Sequence, residues 1–379
     1  MRRRIVSKTV NINDYMTICA LEDGLQVYGP ANSYYSIDGG LTWKPSVVNE
    51  ETPVINTGEI ILFKKKLVPN ALNTVGEFTI TKKCTLSGNC LSLIFGDDAA
   101  GEKNIQNYED AFIRTFFSCE NIIEVSSDFL PATTLSRRCY ESMFNECTSL
   151  IKAPVLPATS LAEFCYREMF ENCSSLESAP ELPATELATS CYSSMFKGCI
   201  SLSESPTLPA TELEYYCYKE MFYGCSGLKK IKALFTTLSV FEISEYTENW
   251  VKGVSPTGTF VKNPEATWEI YGDYGIPNGW KVVMDGEEQS GRLQFPITLV
   301  EGDNGELGKQ FYQYVKDGTY TNEEVYVIRN GYVVSAYNWL EGEDYILSSD
   351  WEVIDDTSGV GNPRFDAAVV YSNGFFEYW

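Results

Sequence analysis

The chain has 379 residues, with 29 lysines and arginines against 52 aspartates and glutamates, twelve cysteines and no histidine. That length buries a sizeable core and allows two or three domains. The negative balance repels phosphate backbones and argues against a nucleic-acid partner, and the missing imidazole excludes Ser-His-Asp, Cys-His and His-ligated zinc chemistry together.

At the start, Arg2, Arg3 and Arg4 make a basic tip, but no apolar run of about seven or more follows it, so it does not read as an export signal. No stretch approaches about eighteen apolar residues, which argues against a membrane span. Folding in a cytoplasm is expected. Residues 10 to about 83 read as short strands, such as Leu25 to Tyr28 and Ile60 to Phe63, between Gly, Pro and Asn turns. Residues 1–83 are therefore expected to form an N-terminal β module of sandwich type carrying the basic arm. Inside it, Ser36-Ile37-Asp38-Gly39-Gly40-Leu41-Thr42-Trp43 matches the Asp-box pattern of propeller hairpins. A single copy does not make a propeller, and the motif reads as a structural turn. The pairs Asp97-Asp98 and Asp355-Asp356 suit a hard cation, but solvated loops are the simpler reading, and no metal or cofactor site is assigned.

From Cys139 the chain repeats. Copies of Cys-Tyr-x-x-Met-Phe-x-x-Cys begin at Cys139, Cys165, Cys191 and Cys217, 26 residues apart, with Leu150, Leu176, Leu202 and Leu228 three residues after each second cysteine. A fixed period in the twenties marks a leucine-rich solenoid. A degenerate copy precedes them, with Ala111 and Phe112 in place of Cys-Tyr and with Phe116 and Cys119 in frame. An atypical terminal repeat is what a cap requires. Within one copy Leu161, Cys165, Met169 and Cys173 fall four apart with Phe170 beside them, which predicts a core-facing stripe on a helix of about three turns. Pro157 then ends the preceding extended segment, and Thr159 is placed to cap the helix. Ser175 to Leu182 is too short and proline-rich for more than a brief strand or extended turn. Lys152, Ser178 and Glu204 share one equivalent position, which is therefore not a core position in every copy.

Two cysteines eight residues apart on a helix are separated by about 12 Å, too far to bridge within a copy. Free cysteine packs as a small apolar side chain. One buried ladder of Cys139, Cys165, Cys191 and Cys217 and another of Cys147, Cys173, Cys199 and Cys225 are expected. Bonds between copies and a metal cluster are the alternatives, and neither suits spacings without Cys-x-x-Cys.

The acidic Asp285-Gly286-Glu287-Glu288 stretch leads into a C-terminal block, 285–379, expected to be β-rich. There Tyr326-Val327-Ile328-Arg329 and Tyr332-Val333-Val334 flank Asn330-Gly331, while Val369-Val370-Tyr371 and Phe375-Phe376 flank Asn373-Gly374, which predicts two tight hairpins. Tyr326, Tyr332, Tyr337 and Trp339 give an aromatic density suited to contact with a sugar or a protein, and equally to cross-strand packing.

The repeat frame, extended as Cys-x-Ser-Leu-x-x-Ala-Pro-x-Leu-Pro-Ala-Thr, resembles the BspA-like leucine-rich repeats of anaerobic gut bacteria and their phages. "GTFVKNP" from Gly258 and "GIPNGWKV" from Gly275 are similar to the closing segments of such arrays, and "ALEDGLQV" from Ala20 with "YSIDGGLTWK" from Tyr35 to the β module before them. The resemblance implies an α+β chain, a BspA-like solenoid over 84–284 between a β-sandwich-like module and a β-rich domain. It further implies a scaffold for surface recognition or adhesion with no catalytic residues. Met1-Arg2-Arg3-Arg4-Ile5 differs from the leaders of cell-surface members, which favours a phage virion protein (a fibre, decoration or receptor-binding component) over a bacterial surface adhesin. A carboxylate-based glycosidase is the remaining alternative and needs two carboxylates about 5 to 10 Å apart in a cleft. On the virion reading the chain is a homo-oligomer located in the particle, without nucleic-acid binding or membrane insertion. Its partners are other virion proteins, docked through Arg2 to Arg4, and a host-surface glycan or protein.

Overall fold

The structure, a computed structural model, describes residues 10–71, 73–238 and 243–286 in full and, beyond them, the backbone of strands between 324 and 378. The chain divides into two units, Met1–Asp285 and Gly286–Trp379. Strands dominate the described residues, and their two α-helices, α1 (Ser92–Phe95) and α2 (Ile243–Tyr246), have four residues each. The fold class is thus β-rich with few helices. No helix among the described residues is long and apolar enough to cross a membrane.

The first unit opens with β1 (Met16–Ala20), β2 (Val27–Tyr28), β3 (Tyr34–Ser36), β4 (Lys44–Pro45), β5 (Ile60–Lys64), β6 (Thr79–Ile80) and β7 (Cys84–Ser87). One six-stranded sheet runs β4-β3-β5-β1-β7-β8, where β8 is Ile122–Val125, and β2 pairs with β6 as a separate ribbon. Pairing is antiparallel up to β7 and parallel between β7 and β8, with Cys84 opposite Ile122. Central β5 carries Ile61, Leu62 and Phe63 buried in succession, as a strand covered on both faces requires. Because β8 already belongs to the degenerate copy, the expected border at residues 83/84 falls inside one sheet. The core is continuous as well: Phe63 meets Phe78 edge-on at 5.0 Å, and Phe78 stacks on Phe116 at 5.2 Å.

The cysteine frames form coils stacked one on another, each with a turn segment and an extended segment. In the Cys139 copy, the amides of Cys139, Glu141, Met143, Asn145 and Cys147 donate to the carbonyl three residues back at 3.1–3.4 Å. The amides between them, of Arg138, Tyr140, Ser142, Phe144 and Glu146, donate to Glu163, Cys165, Arg167, Met169 and Glu171 of the next coil at 2.8–3.0 Å. Every fourth residue is left-handed: Arg138 (φ 54°), Ser142 (52°) and Glu146 (62°), and likewise Phe164, Glu168 and Asn172 one coil on.

This corrects the helix expected from the four-residue stripe. Cys165, Met169, Phe170 and Cys173 do face the core, but on a ribbon of turns rather than a helix. An α-helix advances about 40° past a full turn every four residues, so a strict period of four slides off its face. Alternating turns keep that period and put two residues in and two out, which is the Cys-Tyr-x-x-Met-Phe-x-x-Cys frame itself. Thr159 caps nothing; it lies exposed, and the amides of Leu161 and Phe164 go to Glu186 and Thr189 of the next coil.

The extended segments align in parallel. Glu124, Lys152 and Ser178 make isolated bridges, whereas β9 (Glu204–Leu208), β10 (Lys230–Ala233), β11 (Thr259–Lys262) and β12 (Lys281–Met284) form a regular sheet in the order β12-β11-β10-β9. Pro154 and Pro180 remove amide donors from the earlier ladder, and Pro206 does the same in β9, whose pairing with β10 shifts register between Lys230 and Lys232; β10, β11 and β12 contain no proline. Lys152, Ser178 and Glu204 are all exposed, as their shared position requires.

In the second unit, β13 (Glu324–Arg329), β14 (Tyr332–Asn338), β17 (Ala367–Val370) and β18 (Phe376–Tyr378) form an antiparallel sheet in the order β14-β13-β17-β18, beside the pair β15 (Ile346–Leu347) and β16 (Val353–Ile354). Arg329 opposite Tyr332 leaves Asn330-Gly331 as a two-residue connection, as the sequence predicts. The second hairpin differs in register: its first pair is Val370 with Phe376, so five residues separate the paired strands, and Asn373-Gly374 lie outside the described residues.

Gly224 tests the ribbon by the sign of one substitution. In a helix, Gly→Ala stabilises by up to about 1 kcal/mol. Here Gly224 sits at φ 75°, and an added Cβ would find ordinary contact distances, the nearest atom at 3.9 Å, so backbone strain decides. Gly224→Ala is expected to destabilise by about 1–2 kcal/mol in denaturant unfolding; a gain in stability would restore the helix.

Candidate functional site

The turn segments set an invariant interior beneath a varied exterior. All twelve cysteines are free and, apart from half-buried Cys19, buried. In the second expected ladder each thiol donates to a carbonyl of the preceding coil: Cys147 to Phe116 O at 3.2 Å, Cys173 to Phe144 O at 3.1 Å, Cys199 to Phe170 O at 3.1 Å and Cys225 to Phe196 O at 2.9 Å. Cys119 of the degenerate copy does the same to Phe78 O at 3.1 Å. The thiol fills a small apolar site and gives a second donor to a carbonyl already used in a turn. Burial pushes the thiols of Cys139, Cys191 and Cys225 up to about 12 and those of Cys147, Cys165, Cys173, Cys199 and Cys217 well above their ordinary range. A thiol held protonated is neither a nucleophile nor a metal ligand.

Two aromatic ladders run beside the sulfurs. Tyr140, Tyr166, Tyr192 and Tyr218 stack at 5.8, 6.0 and 6.2 Å, within 10° of parallel. Phe116, Phe144, Phe170, Phe196 and Phe222 stack at 5.5, 5.7, 5.8 and 5.9 Å. Trp250 ends both, 6.2 Å from Tyr218 and 6.3 Å from Phe222.

Outward positions change from coil to coil. The residue after each ladder phenylalanine runs Phe117, Asn145, Glu171, Lys197, Tyr223, and the residue before each first cysteine, or before Ala111 in the degenerate copy, runs Asp110, Arg138, Phe164, Ser190, Tyr216; Asn145 and Ser190 are buried and the others half-buried. Their charges pair within and across coils. Arg138 Nε lies 2.6 Å from Glu141 Oε2, with Asp110 at 3.6 Å; Lys197 Nζ lies 2.9 Å from Glu220 and 3.4 Å from Glu171; Lys219 Nζ lies 2.6 Å from Glu248. Cations also cover rings, with Arg114 3.7 Å from the Phe117 centroid and Lys219 4.7 Å from that of Tyr216. Burial raises the Glu171 carboxyl above its ordinary value despite the opposing Lys197 charge.

The other sequence-marked groups are structural where they are described. In the Asp-box hairpin, Asp38 accepts from Ser36 Oγ at 2.7 Å and from the Thr42 amide at 2.9 Å, and these bonds, with the Thr42 hydroxyl foremost, bring its carboxyl down to about 2. Asp97 accepts from Lys64 at 2.7 Å and Tyr15 at 2.8 Å, and Asp98 from Lys66 at 2.9 Å, so the acidic pair is neutralised by protein cations. No group of three or more Cys, Asp or Glu among the described residues is arranged to hold a metal. Arg2, Arg3 and Arg4, Asp355-Asp356, Trp339 and the side chains of Tyr326, Tyr332 and Tyr337 lie outside the described residues. Sequence reasoning missed the charged outer face and the left-handed period beneath it. A signal was present, since the residue before the second cysteine is Asn172, Gly198 and Gly224 in successive copies, the types that tolerate positive φ.

Comparison with known proteins finds no matching family model, no similar curated protein and no similar solved structure.

Two outcomes follow from the ladders and the outer face. Alkylation of the native chain is expected to label Cys19 ahead of the buried thiols, all twelve becoming reactive only after unfolding without reductant; peptides linked by disulfide would refute the ladders. Glu171→Gln keeps an acceptor for Asn145 and removes a carboxylate whose folded pKa is raised, so the variant should be more stable than the wild type at neutral pH. The sign is set by the raised folded value: the charge lowers stability as pH rises from the ordinary value of 4.5 through the folded one, so the gain vanishes below about pH 4. A gain unchanged down to that pH would show that packing, not the charge, causes it.

Proposed function

We propose that the protein is a non-enzymatic phage virion component, a fibre, decoration or receptor-binding element, whose stacked coils are a BspA-like leucine-rich solenoid used as a display scaffold. The observation that carries this reading is the division between fixed inward and varied outward positions. Cys, Tyr, Met, Phe and Cys recur unchanged on the inside of four coils, while the residues at the outward sites differ in size, charge and aromaticity. A scaffold for recognition needs that arrangement, because side chains on a rigid repeat change without disturbing the core. The sequence resemblance points the same way. In this reading Arg2 to Arg4 dock on an acidic particle surface, the chain assembles as a homo-oligomer, and the outer face meets a host-surface glycan or protein.

Deleting residues 1–20 would remove all of β1 with the arm, so the test replaces Arg2, Arg3 and Arg4 by serine and measures incorporation into particles. Loss of incorporation with an unchanged unfolding transition supports docking through the arm. Full incorporation moves attachment elsewhere, and absence of the wild-type chain from purified particles refutes the virion reading.

A further inference from the structure

On the strand side of the coils, away from the turn segments, charge changes sign along the stack. The extended segments of the Cys165 and Cys191 copies carry Glu177, Glu181 and Glu204, all exposed. The segments that follow carry Lys229, Lys230, Lys232 and Lys281, the first and last exposed and the other two half-buried. Part of this charge is met inside the chain, since Lys230 lies 3.7 Å from Glu204 and Lys232 binds Asp285. Glu177, Glu181, Lys229 and Lys281 make no ion pair among the described residues. With 52 acidic side chains against 29 basic ones, two copies of the chain repel each other over most of their surface. The strand side is where that repulsion can invert.

A uniformly charged partner would be held by one half of such a face and repelled by the other. The same face turned end for end has the complementary polarity, and the backbone register fixes how the halves would meet. Glu177, Ser203 and Lys229 hold one place in successive coils, the Glu177 amide bonding to Ile151 O and the Lys229 amide to Ser203 O. Glu181 and Thr207 are equivalent in the repeat, and Thr207 pairs with Lys232. Ser203 and Thr207 therefore lie midway between acid and base. A two-fold axis along their strand, in the plane between two copies, sets Glu177 opposite Lys229 and Glu181 opposite Lys232, and each meeting occurs twice. It also sets Glu124, three coils before, opposite Lys281, three coils after. Glu204 meets its own copy near the axis, where the Lys230 of each chain offsets the repulsion. An axis along the stack would instead lay Glu177 on Glu177 and Lys229 on Lys229. At the usual strand spacing the segments from Glu124 to Lys281 span roughly 30 Å, which places the contact at the small, weak end of specific interfaces.

We propose that two copies of the chain associate face to face through the strand side, their stacks antiparallel, about a two-fold axis at Ser203 and Thr207. This gives the homo-oligomer of the functional reading a surface, but it rests on the charge and register of the strand side and not on the virion reading. The test is sedimentation equilibrium of the purified full chain from about 1 μM to about 1 mM. The wild type should dimerise with a Kd on the order of 100 μM, as a small polar interface allows. Glu177→Lys and Lys229→Glu should each weaken the dimer roughly tenfold, because a contact made twice turns from attraction to repulsion. Both changes in one chain should restore the wild-type Kd, since the reversed charges then face each other again. All the side chains changed are exposed, and an unchanged unfolding transition in each variant shows that the fold is intact. A wild-type chain still monomeric at about 1 mM overturns the proposal. So does a dimer indifferent to both single reversals, or one that they weaken without rescue in the double variant. Particle incorporation is measured apart from all of these, so the virion reading stands or falls separately.

Discussion

In each turn segment every second amide has no acceptor within its own coil, and the carbonyl that receives it lies in the next coil. From Arg138 to Glu146 five such donors point out of the coil, and the interleaved amides close turns whose alternate members hold left-handed residues. A single coil would carry those unmet donors and about 1–2 kcal/mol of strain at each left-handed residue other than glycine. Neighbours supply the acceptors. Stability therefore resides in the interfaces between coils, the behaviour of a one-dimensional array.

That backbone register dictates the side chains. Because residue 140 bonds to residue 165 and 144 to 169, a tyrosine must lie over a tyrosine and a phenylalanine over a phenylalanine, and a size change in one coil leaves a gap or a clash in two. The ends need different solutions. At the start, the amides of Val75 and Phe78 donate to Ala111 O and Thr115 O of the first coil, and Phe78 continues the phenylalanine stack. At the finish, Trp250 takes the methionine place, and Trp250, Trp268 and Trp280 give their indole N–H to Gly275 O, Phe235 O and Ser255 O at 2.9, 3.1 and 2.7 Å. Indoles close the array because each couples a large apolar face to one donor. The N-terminal module and the tryptophan-rich closing segment are parts of the stack's stability.

The period, the two thiol ladders, the degenerate first copy and the Asn330-Gly331 hairpin were legible because each is fixed by residue type at a set spacing. The helix was not, and the reason is specific. Leu161, Cys165, Met169 and Cys173 satisfy both a helical stripe and a four-residue turn ribbon over so short a stretch, and only the backbone at Asn172, Gly198 and Gly224 separates the two. The outer network was hidden for another reason. Lys197 meets Glu171 and Glu220 through a stacking of coils that sequence distance alone does not reveal.

On the proposed reading, recognition by the outer face would be constrained by that face's own ion pairs. Arg167 reaches Glu141 and Glu168, Lys197 reaches Glu171 and Glu220, and Arg138 reaches Asp110 and Glu141. A partner that used one of these charges would first have to break a bond already made within or between coils, so each polar contact would yield little net affinity. Rings under cations, such as Phe117 and Tyr216, offer contact area at lower cost, because a ring edge can bury against a partner while its cation stays in place. On the proposed reading, a face built this way would bind weakly at any one coil. Its strength would come from spanning several coils, and from presenting several copies of the chain, where linked sites raise effective concentration.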